Sequence, residues 1–319
     1  MVGAGAYDSS SGHHLSAYWF RAAVTGVATP ASSGQEEPFP ENTRRPVKQD
    51  MPETAKTPET RDTPADAHEY RGLKAAAWDL LRGDTSQWPD RVFFREVIAR
   101  SGQPVLDVGC GTGRLLLDYL ADGIDIEGVD NSPEMLALCR AKAAQRQLHP
   151  TLYEQAMEVL QLPRTYRTIL VPSSSFQLLT EPAAAAAAME RFFAHLVSGG
   201  VLVMPFMSVV PPDGQEDWQV TGERERPEDG TLVRRWTRST YDPAQQLEHT
   251  QDRYQVLRGG AVVYEEHHVR SPATRGYSQE QACRLYEGAG FTDLQLLSGF
   301  SWTSATAQEG IFCVHGTRP

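Results

Sequence analysis

A chain of 319 residues with 40% hydrophobic and 22% charged residues can build one large domain or two small ones, provided its apolar residues are concentrated rather than spread. Its formal charge of -11 argues against a nucleic-acid partner, because a phosphate-binding face gathers Lys and Arg, and no basic stripe occurs. The four cysteines lie far apart with no C-x-x-C pair, so neither a zinc knuckle nor a disulfide framework is expected, and no run of 18 apolar residues could cross a bilayer.

Residues 1–65 are rich in Pro, Thr, Ser, Ala, Glu and Gly and are expected to form a disordered or non-native N-terminal extension. The apolar patch from Leu15 to Val27 is broken by Arg21 and Gly26, and the basic start of a secretory signal is missing. A start of translation at Met51 is an alternative reading of the same stretch. Residues 66–319 are expected to fold, with an antiparallel insertion at about 207–275. A soluble protein of the reducing cytoplasm, with no membrane contact, is the corresponding expectation.

In chain order, helical spacing of Tyr70, Leu73, Ala77, Trp78, Leu80 and Leu81 predicts a helix from Ala67 to Leu81, and Val92, Phe93 and Val97 a second from Trp88 to Ile98. Pro104 to Val108 reads as a strand, followed by a glycine-rich turn and a helix from Arg114. Strand Ile126–Val129, helix Pro133–Arg146, strands Thr151–Met157 and Thr168–Val171, helix Ala183–Val197 and strand Gly200–Phe206 continue the alternation. Alternating short strands and helices imply an α/β fold with a parallel sheet covered on both faces. The six alanines Ala183–Ala188 fit the helix, since alanine has the highest helix propensity and Glu181-Pro182 supplies an acidic, proline-initiated start.

After Phe206 the pattern becomes β-branched and aromatic, in Leu232–Tyr241, Leu247–Leu257 and Ala261–Val269, joined by turns at Asp242-Pro243 and Arg258-Gly259-Gly260. This predicts an antiparallel meander. A helix from Ser278 to Glu287 follows, with Ser278 and Gln281 spaced as a capping box and Gly288 or Gly290 as the stop. Phe291–Leu297 and Gly310–Val314 read as final strands.

The chemistry concentrates in Val105-Leu106-Asp107-Val108-Gly109-Cys110-Gly111-Thr112-Gly113. A glycine turn between strand and helix lets backbone approach a ligand, and the helix amides favour negative charge. A dinucleotide fingerprint would place its third glycine at position 114, which is Arg114. An aspartate on the approach suits a ligand carrying an ammonium beside a carboxylate, as in the methionyl end of S-adenosylmethionine (SAM). Asp130, ending the second strand about twenty residues on, can accept two hydrogen bonds from ribose hydroxyls.

These residues, followed by Gly128-Val129-Asp130-Asn131-Ser132-Pro133-Glu134-Met135-Leu136, resemble the first two motifs of class I SAM-dependent methyltransferases, specifically the small-molecule group. The resemblance implies a Rossmann-like three-layer sandwich with a mostly parallel seven-stranded sheet, plus the inserted meander. It places Asp107, Gly109, Cys110, Gly111 and Gly113 around the methionyl end, Asp130 on the ribose, and Asn131 and Met135 beside the nucleoside. Ala156, Met157 and Ser173 complete its cofactor set. The chain departs from the family at Gln155-Ala156-Met157-Glu158, where an acid often meets the adenine amine; Glu158 is the substitute.

For the acceptor, Val171-Pro172-Ser173-Ser174-Ser175-Phe176-Gln177 lacks the Asn or Asp, Pro, Pro, aromatic sequence of nucleobase amino-methyltransferases. It suggests a mixed apolar and hydroxyl floor, with Phe176 and Gln177 as candidate catalytic residues; the alternative puts Phe176 in the core. Tyr70, the third catalytic candidate, resembles an aromatic that closes over the cofactor, with packing as its alternative, and Tyr277 is similarly ambiguous. His267 and His268 point to opposite faces of one strand and read better as packing residues. Arg234 and Arg235 could attract a carboxylate. No His and carboxylate cluster has metal-ligand spacing, so no metal is expected. The meander resembles the extra sheet of methyltransferases acting on amino sugars, amines and natural products, which covers the site or builds a homodimer. The expected function is methyl transfer to nitrogen or oxygen of a small molecule; a catalytically silent cofactor-binding protein is the alternative.

Overall fold

Short runs rich in β-branched and aliphatic residues, each closed by a glycine or a polar turn, supply the strands. A computed structural model describes residues 70–209, 217–307 and 309–319; the extension at 1–65 and the expected helix start at 67–69 lie outside the described residues. Strands β1 (Val105–Val108) and β2 (Ile126–Asp130) are buried along their whole length, as central parallel strands must be when both faces are covered. With β3 (Thr151–Glu154), β4 (Tyr166–Leu170), β5 (Leu196–Met207), β10 (Thr292–Ser298) and β11 (Ile311–Thr317) they form a seven-stranded sheet of order β10-β11-β5-β4-β1-β2-β3. Strands β1 to β5 run parallel, and β11 is antiparallel to both β5 and β10.

The register pairs Val105 with Ile126 on one side and with Thr168 on the other, so β1 sits centrally and its C-terminal loop opens between two neighbours. Successive side chains of β1 feed opposite faces. Leu106 and Val108 join Phe176, Phe192, Phe206 and Tyr286 in one core, while Val105 joins Phe93, Phe94, Leu116 and Tyr119 in the other. Each buried aromatic of this kind contributes about 1.5–3 kcal/mol by leaving water.

The helices that cover the sheet start where their sequences predict. These are α3 (Pro89–Ser101), α4 (Leu116–Ala121), α5 (Pro133–Gln145), α6 (Pro182–His195) and α7 (Gln279–Gly288). In α5 the Ser132 hydroxyl accepts from the Met135 amide at 3.1 Å, and Pro133 occupies the first turn, where its missing N–H costs nothing. In α7 the capping box is complete, with Ser278 N donating to Gln281 at 2.7 Å and Gln281 N to Ser278 Oγ at 3.2 Å.

The second sheet is fully antiparallel, in the order β6 (Gln219–Glu225), β7 (Leu232–Asp242), β8 (Leu247–Arg258) and β9 (Ala261–Arg275). Strand β6 is absent from the sequence reading because Gln-Val-Thr-Gly-Glu-Arg-Glu lacks apolar alternation; as an edge strand it is held by its ladder to β7. Strand β9 runs past the expected end at Val269 and through Pro272, which an edge strand tolerates since one side carries no ladder.

Two further expectations are corrected. The helix foreseen up to Leu81 is two short helices, α1 (Gly72–Ala76) and α2 (Trp78–Arg82), meeting at Ala77. Contacts to different partners decide this over propensity: Leu73 and Lys74 bond to the second sheet, whereas Asp79 bonds to the first domain layer through Thr112 and Lys142. The strand expected to reach Met157 ends at Glu154, and the chain then turns through a 3₁₀ segment, Met157–Val159.

Candidate active site

The loop after β1 is shaped by three left-handed glycines, Gly109, Gly111 and Gly113, with φ of 70°, 55° and 80°. The amides of Gly109 and Cys110 donate to the Val129 carbonyl at 2.8 and 3.0 Å, drawing the loop over the end of β2. A Cβ on Gly109 would lie 2.9 Å from Ser175 Oγ, and one on Gly113 only 2.6 Å from Cys139 Sγ and 2.8 Å from Leu117 Cγ. Gly109 thus keeps open the crevice at the strand ends where ligands of open α/β sheets bind, and Gly113 lets the turn pack on α4 and α5.

Two carboxylates flank this loop. Asp130 accepts from the amides of Gly111 and Ser132, each at 2.9 Å, one on each oxygen. A carboxylate has about four acceptor sites, so hydroxyl donors can still be taken. Asp107 is 2% exposed and its Oδ1 has no hydrogen-bond partner. Burial pushes its pKa up to about 7; the Arg114 cation opposes this, and the nearby charge of Asp130 reinforces it. A buried acid with an unmatched oxygen is complementary to an incoming cation.

Arg114 itself is committed, in a forked pair with the Asp90 carboxylate, while its guanidinium lies 5.1 Å from the Trp88 ring centre. Arg82 was missed by the sequence reading. Its guanidinium sits 4.5 Å from the Trp78 ring and 5.1 Å from the Trp88 ring, its Nε is buried without a partner, and burial lowers its pKa to about 10. The signal available in the sequence was an arginine four residues after one tryptophan and six before another.

The cavity has a volume of about 800 Å³. One wall is Asp107–Thr112, Asp130, Asn131, Met135, Gln155–Glu158 and Pro172–Ser175. The other is the inner face of the second sheet, with Arg235, Thr237, Glu248, Thr250 and Asp252. The Tyr70–Arg82 segment bridges the two. Ser132 Oγ donates to the Tyr70 carbonyl, the Leu73 amide donates to the Glu266 carboxylate, Lys74 Nζ lies 3.7 Å from Asp252, and Thr112 Oγ1 donates to Asp79 at 2.7 Å.

The cavity therefore gathers Tyr70, Asp107, Gly109, Cys110, Gly111, Asp130, Asn131, Met135, Ala156, Met157 and Ser173, along with Glu158. Tyr70 stands edge-on to Trp78 with centroids 4.7 Å apart. Gly113 shapes the turn from behind and is not on the cavity surface.

The candidates from the segment after β4 need correction. Phe176 is 1% exposed and packs among Phe192, Phe206 and Tyr277, away from the cavity wall. Gln177 is fully buried and spends its amide on backbone: Nε2 donates to the carbonyls of Met207 and Arg275 at 3.0 Å each, and Oε1 accepts from Met207 N at 2.8 Å. Gln177 fastens β5 to β9 and Phe176 packs on β5, because the Ser175–Leu178 3₁₀ turn rotates them inward and leaves Ser173 to Ser175 facing the ligand space.

Arg234 and Arg235 also separate. Arg234 bonds Glu223, and Arg235 faces the cavity already paired to Asp252 at 2.8 Å, which reduces its attraction for a carboxylate. His268 is buried beside Tyr254 and Glu266, and His267 bonds Glu265 at 2.7 Å on the opposite face. Tyr277 lies in the core cluster, where burial raises its pKa to about 12. Among the described residues no group of His, Cys, Asp and Glu is arranged to hold a metal ion, and no helix is long and apolar enough to cross a membrane.

Comparison with known proteins agrees with this geometry. Residues 105–200 match the model of a methyltransferase domain. A methyltransferase of Geobacillus sp. (strain WCH70) is 30% identical over 109 residues, 34% of this chain and 44% of that protein, so the chain spans less than half of its length. The dTDP-3-amino-3,6-dideoxy-alpha-D-glucopyranose N,N-dimethyltransferase of Streptomyces fradiae is 29% identical over 231 residues, 70% of this chain and 86% of that protein. The solved SAM-bound amino pentose methyltransferase from Micromonospora echinaspora superposes with a TM-score of 0.57 at 25% identity, over 79% of this chain and 99% of that one.

Residues 105–200 carry a methyltransferase domain, on a Rossmann-like sheet of the kind shared by SAM-dependent methyltransferases. SAM is the corresponding cofactor, and the site fits it. The glycine cradle leaves room for backbone approach, the unmatched oxygen of Asp107 suits an ammonium, the unpaired Nε of Arg82 suits a carboxylate, and Asp130 has lone pairs for ribose hydroxyls.

Proposed function

We propose that this protein methylates the amine nitrogen of a sugar-like small molecule. The observation that carries the reading is the second sheet, whose polar inner face closes the cavity opposite the cofactor loop with Arg235, Thr237, Glu248, Thr250 and Asp252. Hydroxyl, carboxylate and guanidinium groups alternating along two strands offer both donors and acceptors, as a polyhydroxylated amine requires. The names of the Streptomyces fradiae and Micromonospora relatives, both of amino-sugar methyltransferases, support the same acceptor class.

When bound, SAM supplies a methyl group on an activated sulfonium. The residues named for it are Asp107 and Arg82 for the methionyl end, Asp130 for the ribose, and Asn131, Met135, Ala156 and Met157 for the nucleoside. The protein's contribution is chiefly positional, since an in-line displacement is accelerated when both reactants are held in contact and water is excluded. Met207, Leu178, Leu179 and Ala273 supply the apolar part of the acceptor space.

The test is incubation with SAM and dTDP-3-amino-3,6-dideoxy-alpha-D-glucopyranose, beside its 3-hydroxy counterpart, with product masses and S-adenosylhomocysteine release followed together. Methylation of the amine compound in preference to the hydroxyl compound is expected. Methylation of the hydroxyl compound alone would replace the reading with oxygen transfer, and S-adenosylhomocysteine binding without turnover on a wide acceptor panel would favour a silent binding protein.

A further inference from the structure

The cavity-facing side of the second sheet holds two carboxylates with unlike surroundings. Asp252 is 3% exposed and saturated: Arg235 lies 2.8 Å away, Lys74 at 3.7 Å, and Thr237 Oγ1 donates to it at 2.7 Å. Its charge is matched by two cations, and its pKa stays below the usual carboxylate range despite burial, through Arg235 and Lys74. It braces the sheet and the Tyr70–Arg82 segment.

Glu248, two pleat repeats before it on the same face, lacks that compensation. The register pairs it with Tyr241 on β7 and Thr274 on β9. The hydroxyls of Thr274, its partner on β9, and of Ser239 act on it in favour of its charged form. The charged groups on this cavity wall are Arg235, which is paired to Asp252, Asp252 itself, which repels, and Arg270 on β9, opposite Thr250. Thr250, on the same face, separates it from Asp252, and all three line the cavity. Hydroxyls orient a carboxylate without cancelling its charge. A carboxylate so placed can take a cation delivered into the cavity.

We propose that Glu248 is the acceptor-recognition residue, its carboxylate receiving the ammonium group of the amine substrate and accepting a proton from it. This rests on the amine-acceptor reading above. The transfer balances simply: the N–H bond breaks and leaves its electron pair on nitrogen as the nucleophilic lone pair, and an O–H bond forms on Glu248. The carboxyl proton passes to water at the cavity mouth when product leaves. Burial raises the pKa of Glu248 above that of an ordinary glutamate, which brings it closer to an amine and eases the exchange. A hydroxyl acceptor brings no such cation, so Glu248 also selects nitrogen over oxygen.

The experiment is calorimetric titration of S-adenosylhomocysteine-loaded protein with dTDP-3-amino-3,6-dideoxy-alpha-D-glucopyranose and with its 3-hydroxy counterpart, for wild type, Glu248→Gln and Glu248→Asp. Glu248→Gln keeps the shape and is expected to weaken the amine compound roughly tenfold or more while leaving the hydroxyl compound and S-adenosylhomocysteine unchanged. Glu248→Asp keeps the charge and should recover part of that affinity. Unchanged amine binding in Glu248→Gln, an equal loss for both compounds, or a loss as large in Glu248→Asp as in Glu248→Gln would overturn the role of Glu248. Should wild type bind and methylate only the hydroxyl compound, the amine reading itself fails, a result recognisable without any variant.

Discussion

Replacing Asp107 with asparagine separates the two effects that burial has on this residue. Its pKa stands at about 7 instead of 3.8, a rise that corresponds to up to about 4 kcal/mol at about 1.4 kcal/mol per unit. Because the folded value lies above the unfolded one, the folded protein binds the extra proton between these values, and the wild-type apo protein loses stability as pH rises from about 4 to about 7. Asp107→Asn removes that dependence. Its stability in urea at pH 8 should exceed wild type by a few kcal/mol at most, somewhat below the full figure because the unmatched Oδ1 position stays unmatched, and the gain should vanish near pH 4.

Cofactor affinity should move the other way. In wild type, binding of S-adenosylhomocysteine should weaken about tenfold per pH unit below about 7, where Asp107 becomes neutral and no longer matches the ligand ammonium. In Asp107→Asn it should be weak and flat with pH. Titration calorimetry from pH 5.5 to 8.5 reads both curves. An Asp107→Asn protein that binds as tightly as wild type, or a wild-type affinity independent of pH, would refute the assignment of the methionyl ammonium to Asp107.

Three further outcomes are expected. Asp130→Ala removes the acceptor of the Gly111 and Ser132 amides together with the ribose contact, and should lower S-adenosylhomocysteine affinity by about 2–3 kcal/mol in calorimetry. Gly113→Ala places a methyl 2.6 Å from Cys139 Sγ at a φ of 80°, and should destabilise by roughly 1–3 kcal/mol in urea titration; Gly123→Ala, with the same φ of 80° and nothing within 4 Å, should cost less. Gln177→Leu removes the side-chain partner of the Met207 amide and of the carbonyls of Met207 and Arg275, and should cost about 1–3 kcal/mol in stability, with S-adenosylhomocysteine affinity preserved wherever the variant stays folded.

Most of the parallel sheet was legible because short β-branched and aliphatic runs alternate with helical stretches, as in Val105–Val108 closed by Gly109. The capping box at Ser278 and Gln281 was legible for the same local reason. The cofactor wall was readable where function needs special backbone, at Gly109 and Gly111, and where an acid ends a strand, at Asp130. Residues whose role depends on distant partners were not. Arg82 acquires its setting from Trp78 and Trp88, and Glu248 differs from Asp252 only through Arg235 and Lys74, which approach from other elements. Phe176 and Gln177 lay in the right segment, but the turn that rotates them inward left no mark in residue type. Strand β6 was hidden because an edge strand can be polar throughout.

One cavity, between the glycine loop and the inner face of the second sheet, is expected to hold both the cofactor and an amine acceptor. A crystal structure of the protein with S-adenosylhomocysteine and dTDP-3-amino-3,6-dideoxy-alpha-D-glucopyranose tests it most directly. It should show the ribose hydroxyls on Asp130, the methionyl ammonium at Asp107, and the sugar amine between the sulfur and Glu248. A nucleoside bound away from Asp130, or a sugar bound outside the second sheet's inner face, would contradict it.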